Sequence, residues 1–83
     1  MHEVGMCEGL LEVVERRAAG RRVLGVKVRV GDAHRVVDAA MRQGFELVAA
    51  GTVAEGAEVE LDVVPGDEFT LESIRVESPE ESR

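Results

Sequence analysis

Three residues at the start of the chain, Met1-His2-Glu3, could hold a metal ion with little help from the rest. A free α-amine, the ionised amide of residue 2 and the imidazole of residue 2 can chelate one cation in a plane. The amide of residue 3, or a water, supplies the fourth donor. Square-planar nitrogen coordination suits Ni(II) or Cu(II) and not Zn(II), which takes a tetrahedron. The arrangement needs the amine, so it needs the chain end. The bulk of His2 should also keep Met1 in place by blocking removal of the initiator. Spacing alone does not select this reading, because a motif match is only as good as its context.

The other reactive side chains are sparse. His34 has Asp32 and Asp38 close by in sequence, which could serve as a general base or a metal ligand. A polar residue in the first turn of a helix is the plainer reading. Cys7 falls within an amphipathic stretch, where a small buried hydrophobe is the usual role of a lone thiol. No Ser/His/Asp arrangement with nucleophile-elbow glycines, no phosphate-binding loop and no dinucleotide fingerprint is present. An enzyme is therefore not expected. The run RRAAGRR (16–22) could meet an acidic partner, but basic residues at a helix C-terminus more commonly satisfy its dipole.

Composition narrows the partners. Residues 1–50 hold 8 basic and 7 acidic side chains, and residues 51–83 hold 2 and 10, for a net charge of −7. That balance argues against nucleic acid and anionic membranes, whose affinity comes from neutralising phosphates. A single cysteine excludes an internal disulfide and a four-thiolate zinc site, and fits a reducing cytoplasm. No apolar run approaches the ~20 residues that span a bilayer. Glu3, Glu8, Glu12 and Glu15 interrupt any signal-peptide core. At 83 residues the chain makes one small domain, and with only Phe45 and Phe69 as aromatics, Val, Leu and Ala must fill its core.

The elements that would position these groups follow from periodicity. Met6, Leu10, Val13, Val14 and Ala18 recur at helical spacing, predicting a helix over 4–19 stopped by Gly20. VLGVKVRV (23–30) alternates, with Leu24, Val26, Val28 and Val30 on a dry face and Lys27 and Arg29 on the wet one. Asp32 is the expected N-cap of a second helix through Ala50, its inward stripe Val37, Met41, Phe45 and Val48, flanked by Val36, Ala40 and Leu47. Residues 57–64 alternate again, with Ala57, Val59, Leu61 and Val63 inward and Glu58, Glu60 and Asp62 outward. Pro65-Gly66 predicts a type II reversal into a closing hairpin. The last strand, 69–77, changes phase near Glu72-Ser73, which predicts a β-bulge there. The expected fold is α/β in two layers, order α-β-α-β-β. Two helices cover one face of a three-stranded mixed sheet whose first two strands are parallel, joined by a right-handed crossover. Residues 1–77 form the domain and 78–83 a loose tail.

Taken together, the stretches resemble one family. MHEVGMCEGLLEVVE resembles the opening of the HypA family, the nickel metallochaperones of hydrogenase and urease maturation. VKVRVG (26–31), GFELVAAGTVAEGAEVELDVV (44–64) and GDEFTLESIRVE (66–77) are similar to its first strand, second helix with following strand, and closing strand. The resemblance implies a nickel site made of the Met1 amine, the amide and imidazole of His2 and the Glu3 amide, with Ni(II) as a transported ion. It implies delivery to a [NiFe] hydrogenase large subunit with a maturation GTPase. Where the family normally inserts a zinc domain bearing two Cys-x-x-Cys pairs, this chain has a turn near 65–68 and no second cysteine, so zinc is not expected. His34 stands where the family often has Ser, and Gln43 where it often has an aromatic. The alternative is a metal-free interaction module that docks on a hydrogenase subunit or the GTPase through its acidic second half and charged sheet face. Monomer and homodimer are both left open.

Overall fold

A computed structural model describes residues 2–78 of the chain, in the order α1 (His2–Ala18), β1 (Val23–Gly31), a 3-10 turn (Asp32–His34), α2 (Asp38–Ala49), β2 (Glu58–Val64) and β3 (Phe69–Val76). The fold is the expected α+β arrangement of two helices and a three-stranded mixed sheet. Met1 and, apart from Ser78, the expected tail lie outside the described residues.

Helix α1 buries Cys7, Leu10, Val14 and Ala18, one residue per turn along a single stripe, while Met6 and Val13 are half-buried. Ala19 and Gly20 both take positive φ, 52° and 87°, and end the helix where a glycine stop was expected. Arg21 folds back, its Nε donating to the Ala18 carbonyl at 3.0 Å. That contact supports the plain reading of the basic run, as cations and donors completing a helix end.

The sheet order is β2-β1-β3. β1 is central, parallel to β2 and antiparallel to β3. The expected closing hairpin therefore does not form as a ladder. The chain does reverse after β2, and Gly66 takes φ 103°, the left-handed value a type II turn asks of its third residue. It then passes across the end of β1 and pairs on that strand's far side. Gly31 makes room for this crossing, because a Cβ there would overlap the Gly66 carbonyl and crowd Asp67. The Gly31 amide donates to the Glu68 carbonyl and the Ala33 amide to the Gly66 carbonyl.

Two irregularities shift side chains between faces. In β3 the register slips between Lys27↔Ser73 and Val28↔Leu71, leaving Glu72 as the extra residue of a bulge where the change of phase required one. In β1 a second slip between Val23 and Gly25 makes Leu24 the extra residue. Val23 is buried in its stead and Leu24 is 39% exposed, against the expected alternation.

The core joins both helices to one face of the sheet: Val14, Met41 and Phe45 pack with Val23, Val26, Val28, Val59 and Leu71. Burying Phe45 and Met41 contributes ~1.5–3 kcal/mol each. Helix α2 begins later than expected. Asp32 enters the 3-10 turn and its carboxylate accepts the Gly66 amide at 3.1 Å, so it caps the crossing loop and not the helix. Arg35, at φ 54°, separates that turn from α2, and Val37 stands at the N-cap without a side-chain hydrogen bond. Val37 and Val63, both expected inward, are 60% and 64% exposed, and Leu47, expected to flank the inward stripe, is 72% exposed. Gly44 and Ala49 occupy the inner face of α2 in their place.

Candidate metal centre

The backbone of His2 opens α1. The first N–H groups of an α-helix have no acceptor within the helix. The amides of His2 and Glu3 are thus outside the helical ladder, and losing their protons to a metal would break no rung of it. Met1 and the His2 ring, two of the three expected ligand residues, fall outside what is described.

Glu3 is described, and it is tied down. Its carboxyl is held below the ordinary carboxylate range, chiefly by a hydrogen bond from its own backbone N–H. The Val37 N–H adds to this, against an opposing effect of burial. The Val37 bond joins the start of α1 to the start of α2. One turn further along, Gly44 lets the helices approach: a Cβ there would stand 3.1 Å from Cys7 Sγ and 3.8 Å from the Glu3 carbonyl oxygen. Cys7 donates its thiol to the Met41 carbonyl at 3.4 Å, with Met41 Sδ 3.9 Å away. Burial, with the Glu3 charge adding, pushes that thiol up. A protonated, fully buried thiol is a packing group and not a ligand. The first turn of α1 therefore lies close against α2, with the Glu3 carboxylate beside the Val37 N–H and Gly44 against Cys7.

The fallback site is not assembled. His34 lies in the 3-10 turn and not in α2, with Nε2 2.8 Å from the Asp67 carbonyl and its ring edge-on to Phe69, centroids 6.1 Å apart. A carbonyl only accepts, so Nε2 carries the proton and donates. Asp38 accepts from Arg42 Nε at 2.8 Å across one helical turn. Each is committed elsewhere, and among the described residues no group of three or more His, Cys, Asp and Glu could hold a metal. Among the described residues no helix is long and apolar enough to cross a membrane.

Sequence reasoning passed over Arg42, which also donates through Nη1 to the Val59 carbonyl and so pins α2 to β2. The Asp38–Arg42 spacing of four was legible; the reach to β2 was not.

The family model described as hydrogenase/urease nickel incorporation, metallochaperone, HypA, matches residues 1–76. The chain belongs to this family. It is 42% identical over 66 residues to the hydrogenase maturation factor HypA of Geobacter sulfurreducens, a match covering 80% of this chain and 60% of that protein. It is 40% identical over 74 residues to the HypA of Alkalilimnicola ehrlichii, covering 86% and 66%. A HypA 2 from Bradyrhizobium diazoefficiens is 39% identical over the same length. The chain thus spans 60–66% of the length of these HypA relatives, and the match takes in the first turn of α1 and the whole sheet.

Proposed function

We propose that this chain binds Ni(II) as cargo through the Met1 amine, the amide and imidazole of His2 and the Glu3 amide. It passes the ion to the large subunit of a [NiFe] hydrogenase alongside a maturation GTPase, in the cytoplasm, as a carrier and not an enzyme. One observation supports this most: α1 begins at His2, which leaves two consecutive amides free of the helical ladder at the family's Met-His-Glu start. The pair lies beside the start of α2, where the Glu3 carboxylate meets the Val37 N–H. Binding at the Glu3 amide exchanges its proton for the metal and releases the carboxylate from its own N–H. Zinc has no part in the reading, since the single cysteine is buried.

Deprotonated amide ligation releases protons, so apparent nickel affinity should climb with pH. The bound ion should be low-spin, square-planar and diamagnetic. The test is a nickel titration of wild type carrying no tag residue, of His2→Ala, and of a version with extra residues ahead of Met1. Both altered proteins should lose the planar spectrum. Their affinity should fall by more than the ~100-fold that supporting contacts alone account for, with circular dichroism unchanged. Equal binding by the extended protein would rule out the amine. A partner pull-down matched by one from His2→Ala would favour the metal-free module, whose support is the acidic row on β2.

A further inference from the structure

The outer edge of β2 is the least finished part of the molecule. β2 is an edge strand, and the Val59 carbonyl accepts from Arg42, so the peptide groups of Val59 face away from β1. Alternation along the strand turns the N–H and C=O of Leu61 and Val63 the same way. Among the described residues nothing pairs with them, and the Val63 side chain beside them is 64% exposed. An unpaired edge is a template for another strand.

The charges on the open sheet face select what that strand must be. Within the fold, β2 already pairs with the alternating segment Val26-Lys27-Val28-Arg29-Val30, which sets Lys27 opposite Glu60 and Arg29 opposite Asp62. Those two bases lean the other way, however: Lys27 Nζ is 4.0 Å from Glu72 and Arg29 Nε 3.6 Å from Glu68. Arg75 spans the sheet to Glu58 at 3.3 Å. Glu60 and Asp62 are left with no ion pair among the described residues, side by side along the bare edge. A second copy presenting its own β2 would set acid against acid, which is unfavourable for directly facing strands.

We infer that the free edge of β2, over Glu60–Val64, binds an extended partner segment of alternating apolar and basic residues, adding a fourth strand to the sheet. Main-chain bonds to Leu61 and Val63 supply the seat, and basic side chains beside Glu60 and Asp62 supply the choice. Arg42, seated on the Val59 carbonyl, closes the edge at its other end and fixes where the segment stops.

The inference is independent of the nickel reading and can be tested on metal-free His2→Ala protein. The probe is a labelled peptide Lys-Val-Arg-Val-Lys-Val-Arg-Val, followed by fluorescence anisotropy and by exchange of the backbone amides. The peptide should bind and slow exchange at Leu61 and Val63. Glu60→Lys with Asp62→Lys should weaken it at least about tenfold, one charge-assisted contact or more. Val63→Pro removes an outward N–H without touching the ladder to β1, and should weaken binding with the fold unchanged by circular dichroism. The inference is overturned if a Glu-substituted peptide, or one N-methylated at alternate residues, binds as well as the probe. It is equally overturned if Val63→Pro binds undiminished, if no binding appears at about 1 mM peptide, or if sedimentation shows a dimer that Val63→Pro dissociates.

Discussion

Gly31 has an ordinary φ of −72°, so its missing side chain answers to space and not to conformation. The loop from β2 to β3 lies where a Cβ would be. Gly31→Ala forces backbone apart at the end of the central strand, and should cost ~1–3 kcal/mol. Urea unfolding would show the loss as a lower midpoint at unchanged slope. Cys7 gives a second expectation. Burial raises its thiol pKa in the folded state, so the unfolded chain loses that proton first as pH rises. The contribution is intact below the unfolded value, near 9.0, and is lost as pH climbs through it toward the folded one. With no Tyr in the chain, few other groups titrate in that window. Stability measured by urea should therefore decline above pH 9 in wild type and decline less in Cys7→Ala. The Met-His-Glu start proposed as the nickel site can be read from the sequence because its three residues are adjacent. The bond from Glu3 to Val37 cannot, since it joins helix starts 34 residues apart and no periodicity reports it.

At the scale of elements, α2 is the one the sequence misplaces at its start. Asp32 has the right chemistry for a cap, but the crossing loop offers the Gly66 amide and takes its carboxylate. The helix then begins at Asp38 behind an uncapped, exposed Val37. Val37→Ser should supply the missing acceptor and raise stability by ~0.5–2 kcal/mol. A thermal melt should rise by several degrees, at roughly 4–8 °C per kcal/mol for a domain this small. The bulge at Glu72 was legible because two apolar pairs stood out of phase on either side of it. The one at Leu24 was not, since either of two consecutive residues, Val23 and Leu24, could fill the inward place. Val63 misled for a different reason. Its alternation with Val59 and Leu61 is sound, but burial falls away along the strand, and Val63 is 64% exposed.

Across the whole molecule the acids outnumber the bases by seven, and ten of them lie in residues 51–83. The ion pairs do little to offset this. Lys27–Glu72, Arg29–Glu68, Arg42–Asp38 and Arg75–Glu58 all join side chains at least 39% exposed, and such pairs contribute ~0–1 kcal/mol each. Self-repulsion should dominate the salt response. Raising sodium chloride shortens the Debye length to about 10 Å at 0.1 M, so the melting temperature should rise with salt; a fall would mean the surface pairs outweigh the net charge. The placing of β1 reaches further. Its neighbours are both distant along the chain: Val26 faces Val59 on one side and Ile74 on the other, and Val23 faces Val76. No two adjacent strands in the sheet are joined by a tight turn. Such topology folds slowly, because long loops must close before any contact repays them. During synthesis the middle of this protein waits, its β3 flank bare, for the last residues of the domain to emerge. Until then Val26, Val28 and Val30 are the surface a nascent-chain chaperone would find.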